Sequence, residues 1–351
     1  MGEPDLALRP DRYRQFFCTL NPLNSFLFAA KDFVVILTFY AILLIVPGGI
    51  NVWLSGVNRH RFLIAVTFSV AVLTLTQLPF RYGGGSLQNW LFLYLAVLAA
   101  TWITSWVIGK RVIKKNTVRS YPDSHVSYSW FPVIGVCICL LLWGGLYSLI
   151  GPYTEVPADF WNHLVRIRWE YGRISQGEIP SYSHAFPPIG LVNREYIHGL
   201  HAGVRSIFDI QPEALIGSAQ LATTSIFIAA VFWFIYAQVD KRWSEYKQTW
   251  VTMLATILTV GWMGTGAFAF VRYYALGPVM LTLPLFFLGV LIFIDHLRDP
   301  ERSTLQTVSI LGLIFLNLAL LHVQEAIFLA VILPLIVLIA RLQIIGNRTS
   351  I

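Results

Sequence analysis

Charge is what this chain has least of. Only 12% of its 351 residues are Asp, Glu, Lys or Arg, against about 25% in soluble domains. So few charges cannot coat a globular surface, and the hydrophobic share of 56% points to lipid as the missing solvent. Cysteine is scarce too. Cys18, Cys137 and Cys139 are all there are, and the last two stand as C-I-C in an apolar run. That excludes a disulfide framework and argues against zinc, leaving packing as their role. Lys/Arg-rich faces interleaved with stacking aromatics are missing, which excludes nucleic acid as a partner. No cleavable signal peptide is expected, because the first thirty or so residues are polar and carry Arg9, Arg12 and Arg14. Glycine motifs are weak: Arg81-Tyr82-Gly83-Gly84-Gly85 follows no strand and does not form a phosphate loop. Gly261–Gly266 reads as a site of close helix approach.

What is present is long apolar runs. A span needs about 20 such residues. The runs 33–54, 62–80, 87–109, 131–151, 213–237, 249–269, 274–295, 305–322 and 324–342 predict about nine transmembrane helices in one all-α, polytopic membrane domain over 33–351. Residues 1–32 precede it as an N-terminal segment. Pro47-Gly48-Gly49 is expected to break the first span. The cluster Lys110, Arg111, Lys114, Lys115 and Arg119 belongs on the cytoplasmic side. Alternation then places Arg59–Arg61, Lys241–Lys247, Arg298–Arg302 and Arg341–Arg348 there also. The N-terminus, despite its arginines, falls outside, unless the first segment is re-entrant or interfacial.

One polar island, 152–212, interrupts the apolar pattern and faces outward in this topology. Arg81–Ser86, Phe270–Tyr274 and the turn with His322, Gln324 and Glu325 share that side. Alternation alone brings some polar loops together. His322 and Glu325, however, join two nearly continuous apolar runs and should lie near the headgroup boundary, where ionisable groups are costly unless paired or hydrated.

Within the island, 157–174 has the period of an amphipathic helix. Asp159, His163, Arg166 and Arg173 share one face, and Phe160, Trp161, Leu164 and Ile167 populate the rest. Such a helix lies in the membrane interface. Asp159 and His163 are four apart and can meet. The pair suits a general base or two metal ligands; equally, Asp159 can simply stabilise the helix start beside a surface histidine. Residues 179–192 are a Pro-rich loop. A second interfacial helix spans 193–208, with His198, His201 and Arg205 on one stripe and Ile197, Leu200, Val204 and Ile207 on the other. The stripe suits an anionic headgroup or phosphate, or is no more than a wet face. Arg272 and Tyr273 open the seventh span, as phosphate binders or as a snorkelling cation beside an aromatic-belt residue.

The order of these parts resembles the GT-C superfamily of integral membrane glycosyltransferases. Pro157-Ala-Asp-Phe-Trp-Asn-His163, Gly177-Glu-Ile-Pro180, Phe186-Pro-Pro188 and Tyr196-Ile-His-Gly-Leu-His-Ala202 follow the D…H…G-x-x-P…YPP…H…A order of many bacterial and archaeal members. Ile45-Val-Pro-Gly48 resembles the start of one subgroup. The likeness extends over about 33–342, with its informative part at 157–202. It implies a site on the outer face of a bacterial or archaeal cytoplasmic membrane. The donor it implies is a polyprenyl-phosphate-linked sugar, and the acceptor a glycan, lipid or protein. By the same resemblance Asp159 is the base and His163 orients it or binds substrate. Arg166, His198, His201, Arg205, Arg272 and Tyr273 bind substrate, and His322 and Glu325 line the cleft. The chain departs from the pattern at Asp159-Phe-Trp, which lacks the paired Asp-x-Asp of metal-using members, so Mg or Mn stays open as a cofactor. It departs again in having no soluble outer domain after the last span, as expected either of a shortened member or of one that does not need that portion. Three other readings compete: a lipid-linked glycan ligase or polymerase, which expects its large loop late in the chain; a transporter, which expects internal repeats and mid-span charge; and a non-catalytic partner of the same fold.

Overall fold

Lipid offers no hydrogen bonds, so an apolar run inside it must satisfy its own backbone, and the helix is the way one segment does so. A computed structural model describes residues 22–55, 57, 60–83, 87–116, 130–150, 167, 195–208, 212–262, 277–299 and 304–349. Every element among them is a helix: α1 (Pro22–Ser55), α2 (Arg61–Gly83), α3 (Leu87–Asn116), α4 (Phe131–Ile150), α5 (Glu195–Phe208), α6 (Pro212–Gln238), α7 (Glu245–Trp262), α8 (Val279–Arg298), α9 (Thr304–Leu321) and α10 (Val323–Thr349). Eight of them, all but α5 and α7, are long and apolar enough to cross a bilayer. The chain is an integral membrane protein. The remaining expected span, 249–269, is helical up to Trp262, and its second half lies outside the described residues. Hydroxyls within the spans turn back on their own helices. Thr38, Thr74, Thr223 and Thr256 each donate to the carbonyl four residues earlier, which hides a polar group without a partner helix.

The expected break at Pro47 does not occur; α1 runs through it. Proline removes a donor and strains the turn, and neighbouring helices make good the loss. Gly48 N donates to Ser69 Oγ at 2.9 Å, and Trp102 Nε1 donates to the Pro47 carbonyl at 3.0 Å. The Gly48 position also sets how closely α1 and α2 cross: a Cβ there would stand 1.9 Å from the Ala65 carbonyl oxygen.

Two apolar cores hold the bundle. The larger joins α1, α2, α3, α5, α6, α8, α9 and α10 through Tyr40, Leu44, Val66, Leu200, Leu215, Leu285, Leu318 and Leu329, among others. The smaller joins α4, α6, α7 and α8 around Trp143, Phe227, Phe232 and Met280. Helix α6 contributes to both. Helix α3 lies at the rim, with Phe92, Leu95 and Ile103 turned outward, as lipid-facing residues are.

Contacts between helices define two ends. At one, His60 meets Asp295, His296 meets Thr307, and Phe131 packs on Tyr246. At the other, Ser218 donates to the Phe33 carbonyl, Trp90 to Thr76, and Tyr147 reaches Gln220. Consecutive spans alternate between them, as the distribution of basic residues predicts. The first is called the basic end, and the second, which holds α5, the island end.

Candidate functional site

Helix α5 is the part of the island that the structure describes most fully. Its sequence promises one wet face, and a place in the interface was expected. Instead every residue from Tyr196 to Val204 is buried, and His198 and His201 have no exposed surface at all. The helix packs against α2, α6 and α9. The reason is visible in what meets each side. Gly199 faces the Gln77 side chain of α2, whose Oε1 would be 2.2 Å from a Cβ, and Gly203 faces the Trp90 ring of α3. On the histidine side, the Tyr40 hydroxyl of α1 is 2.5 Å from His201 Nδ1, with the two rings edge to face at 5.6 Å. A polar stripe can be buried when another helix supplies its hydrogen bonds. Only the last turn emerges: Arg205 is half-buried and Ile207 exposed.

The α9–α10 junction comes to the same level. Counting about 1.5 Å per residue from the His60–Asp295 contact, Gln77 and Val279 lie about 25 Å along α2 and α8. Leu321 lies about 20 Å along α9 from Thr307, which meets His296. His322 follows it at once. Its Nδ1 bonds Glu325 Oε2, and both side chains are buried, at 7% exposure each. An ionised carboxylate only accepts, so the bridging hydrogen then belongs to the imidazole. His322 precedes α10 and Glu325 occupies its first turn, so the contact spans the start of that helix, where a carboxylate suits the N-terminal dipole. Just before the junction Asn317, buried, gives its amide to the Leu313 carbonyl at 2.8 Å. Its Oδ1 meets no donor among the described residues.

A second polar strip flanks this layer between α4 and α6. Trp143 Nε1 donates to Thr224 Oγ1 at 2.9 Å, and the Tyr147 hydroxyl lies 3.2 Å from Gln220 Oε1 and 3.1 Å from the Gly217 carbonyl oxygen. Below it an apolar groove opens between α4, α6 and α7, lined by Cys139, Leu142, Trp143, Ile228, Ile257 and Val260.

Of the sequence-predicted site residues, His198, His201, Arg205, His322 and Glu325 are thus gathered at one end of the bundle. Asp159, His163, Arg166, Arg272 and Tyr273 lie outside the described residues, as does the first island helix apart from Ile167, which is helical and buried. Among the described residues no three His, Cys, Asp or Glu side chains are grouped to hold a metal ion. Sequence reasoning missed Tyr40, Gln77 and Gln220. Their one signal was polarity inside an apolar run: Thr74-Leu-Thr-Gln77 in α2, and Ser218-Ala-Gln-Leu-Ala-Thr-Thr224 in α6.

Chemically the layer offers imidazoles, a phenol, side-chain amides and a carboxylate. That set exchanges hydrogen bonds with hydroxyl and phosphoryl oxygens and is able to move protons. No family model, no curated protein and no solved structure matches the chain.

Proposed function

We propose that this protein is a membrane glycosyltransferase of the GT-C type. It moves a sugar from a polyprenyl-phosphate-linked donor to a glycan, lipid or protein acceptor, with the island end facing outward. The supporting observation is the burial of α5. Belonging to the same island as Asp159 and His163, it is sunk among the spans so that its histidines share a layer with the His322–Glu325 pair. Ionisable groups inside a membrane bundle are costly and gather where substrate or protons are handled.

In this reading the Asp159 carboxylate takes the proton of the acceptor hydroxyl as its oxygen bonds to the anomeric carbon. The bond from that carbon to the phosphate oxygen breaks, and polyprenyl phosphate leaves with the electron pair. His163 orients the base. Arg166, Arg205, Arg272 and Tyr273 hold the phosphate, where charge develops. His198, His201, His322 and Glu325 hold the sugar and the leaving oxygen. The reaction is written without a metal because Asp159-Phe160-Trp161 supplies no second carboxylate.

The test is transfer in proteoliposomes from a polyprenyl-phosphate sugar. Asp159→Asn should lower the rate about 10²- to 10⁴-fold, the usual contribution of a positioned base, while the protein still folds. Full activity in that variant removes Asp159 from the chemistry. Labelling of a cysteine placed at Ser183 from the outer side only is expected for this orientation; labelling from the inner side reverses it.

The buried His322–Glu325 pair also favours a second reading, a transporter, since that class keeps ionisable pairs within its bundle. Substrate counterflow without a glycoside product distinguishes it.

A further inference from the structure

Tyr40 lies in the middle of the first span, far in sequence from the island, and nothing in its surroundings along α1 marks it. It is completely buried. Nδ1 of His201 is the one hydrogen-bond partner its hydroxyl meets among the described residues. That settles the direction of the bond. A buried phenol hydrogen needs an acceptor. Were Nδ1 to carry the proton, the imidazole would donate and the phenol hydrogen would be left without an acceptor among the described residues. With Nδ1 bare, the hydroxyl donates and the ring proton resides on Nε2.

We infer that Tyr40 is a positioning residue. By donating to Nδ1 it holds His201 in the Nε2–H tautomer and makes this imidazole a hydrogen-bond donor, not a base, at the island end. His322 is held the opposite way. Its Nδ1 faces the carboxylate of Glu325, so with Glu325 ionised it is Nδ1 that carries the proton. The two histidines are therefore set to different tasks by their partners. Resting on the transferase reading, His201 serves the transfer as a donor through Nε2 and not as a proton acceptor.

Full-length protein labelled with ¹⁵N-histidine, in nanodiscs, gives a direct readout. The chain has eight histidines, and His201→Gln assigns the signal of interest. The expected wild-type spectrum shows His201 protonated at Nε2 and bare at Nδ1. In Tyr40→Phe, which keeps the ring and removes the hydroxyl, that preference should relax to a mixture. A wild-type Nδ1–H signal overturns the inference. So does an unchanged His201 signal in Tyr40→Phe, even with lowered stability, because Tyr40 is then a structural tie only. If Tyr40→Phe fails to fold, the wild-type tautomer alone decides. In the transfer assay Tyr40→Phe should lower kcat about tenfold, the worth of one hydrogen bond, with KM nearly unchanged. The expected tautomer in a protein that transfers no sugar sinks the transferase reading and leaves the positioning role standing. Transfer by a protein whose His201 carries its proton on Nδ1 does the reverse.

Discussion

The two ends of the bundle differ in their polar residues and in how they arrange them. At the basic end most polar contacts are local. Arg242 pairs with Asp240 two residues away, at 2.8 Å. Lys110 lies over the Trp106 ring, Lys241 over Tyr236 and Lys247 over Trp243. These are cations on aromatic rings, a fitting arrangement for a headgroup layer. At the island end the contacts cross the molecule. Tyr40 and His201 are 161 positions apart, Ser218 and Phe33 185, Trp143 and Thr224 81. Both ends have exceptions: His60 reaches Asp295 and His296 reaches Thr307 at the basic end, and His322 pairs with nearby Glu325 at the island end. The contrast separates polarity that faces solvent or headgroups from polarity that the fold has assembled. Assembled polarity inside a membrane bundle restricts the helices to one arrangement, because each buried group needs its particular partner.

The largest break in that contrast should come from Glu325. Removing one member of a buried ionic pair costs about 3 to 5 kcal/mol, because the other is left without its counter-charge. Glu325→Leu is expected to fall in that range. Denaturant unfolding in detergent measures it. The double variant His322→Phe with Glu325→Leu should recover most of the loss, since an apolar pair replaces the ionic one. A double variant as unstable as the single one would show that the cost lies in the helix start of α10, and the pair would no longer stand for assembled polarity.

Next in size is Gly48, where the α1–α2 crossing depends on shape and not on charge. With the Ala65 carbonyl 1.9 Å from the position of a Cβ, Gly48→Ala must move backbone against backbone. Overpacking of this kind costs about 1 to 3 kcal/mol. Gly49 next to it has nothing within 4 Å, so Gly49→Ala should be stable or slightly better. Equal losses at the two positions would mean that proline-linked bending of α1, and not the crossing, sets the sensitivity.

How far the sequence reveals these differences depends on whether the signal is local. Apolar runs of about 20 residues located the eight spans, and the basic clusters located one end, because both follow from each segment's own solvent. The fate of Pro47 was not legible. Its continuation depends on Ser69 and Trp102, which the sequence places in other helices. The period of α5 distinguishes a histidine stripe from an apolar stripe. It could not say whether the polar stripe faces water or another helix, since a wet face and a hydrogen-bonded one read alike. Tyr40 shows the same limit more sharply: it is one polar group in an apolar run until a distant helix brings His201 to it.

The smallest effect should come from the basic end, at the turn between α6 and α7. Arg242 hydrogen-bonds Asp240 through its guanidinium and its backbone N–H, and this holds the Asp240 carboxyl below its usual range. A lowered carboxyl stabilises the fold above its unfolded value, and that contribution disappears as pH falls through the folded one. The Arg242 side chain is 90% exposed, however, and solvent screens such pairs. Arg242→Ala should therefore leave the unfolding midpoint unchanged near neutral pH. Its acid branch should also overlay that of the wild type. A clear loss of stability, growing toward neutral pH and vanishing in acid, would mean that this turn is as firmly assembled as the layer around His201. The distinction between the two ends would then lie in depth alone.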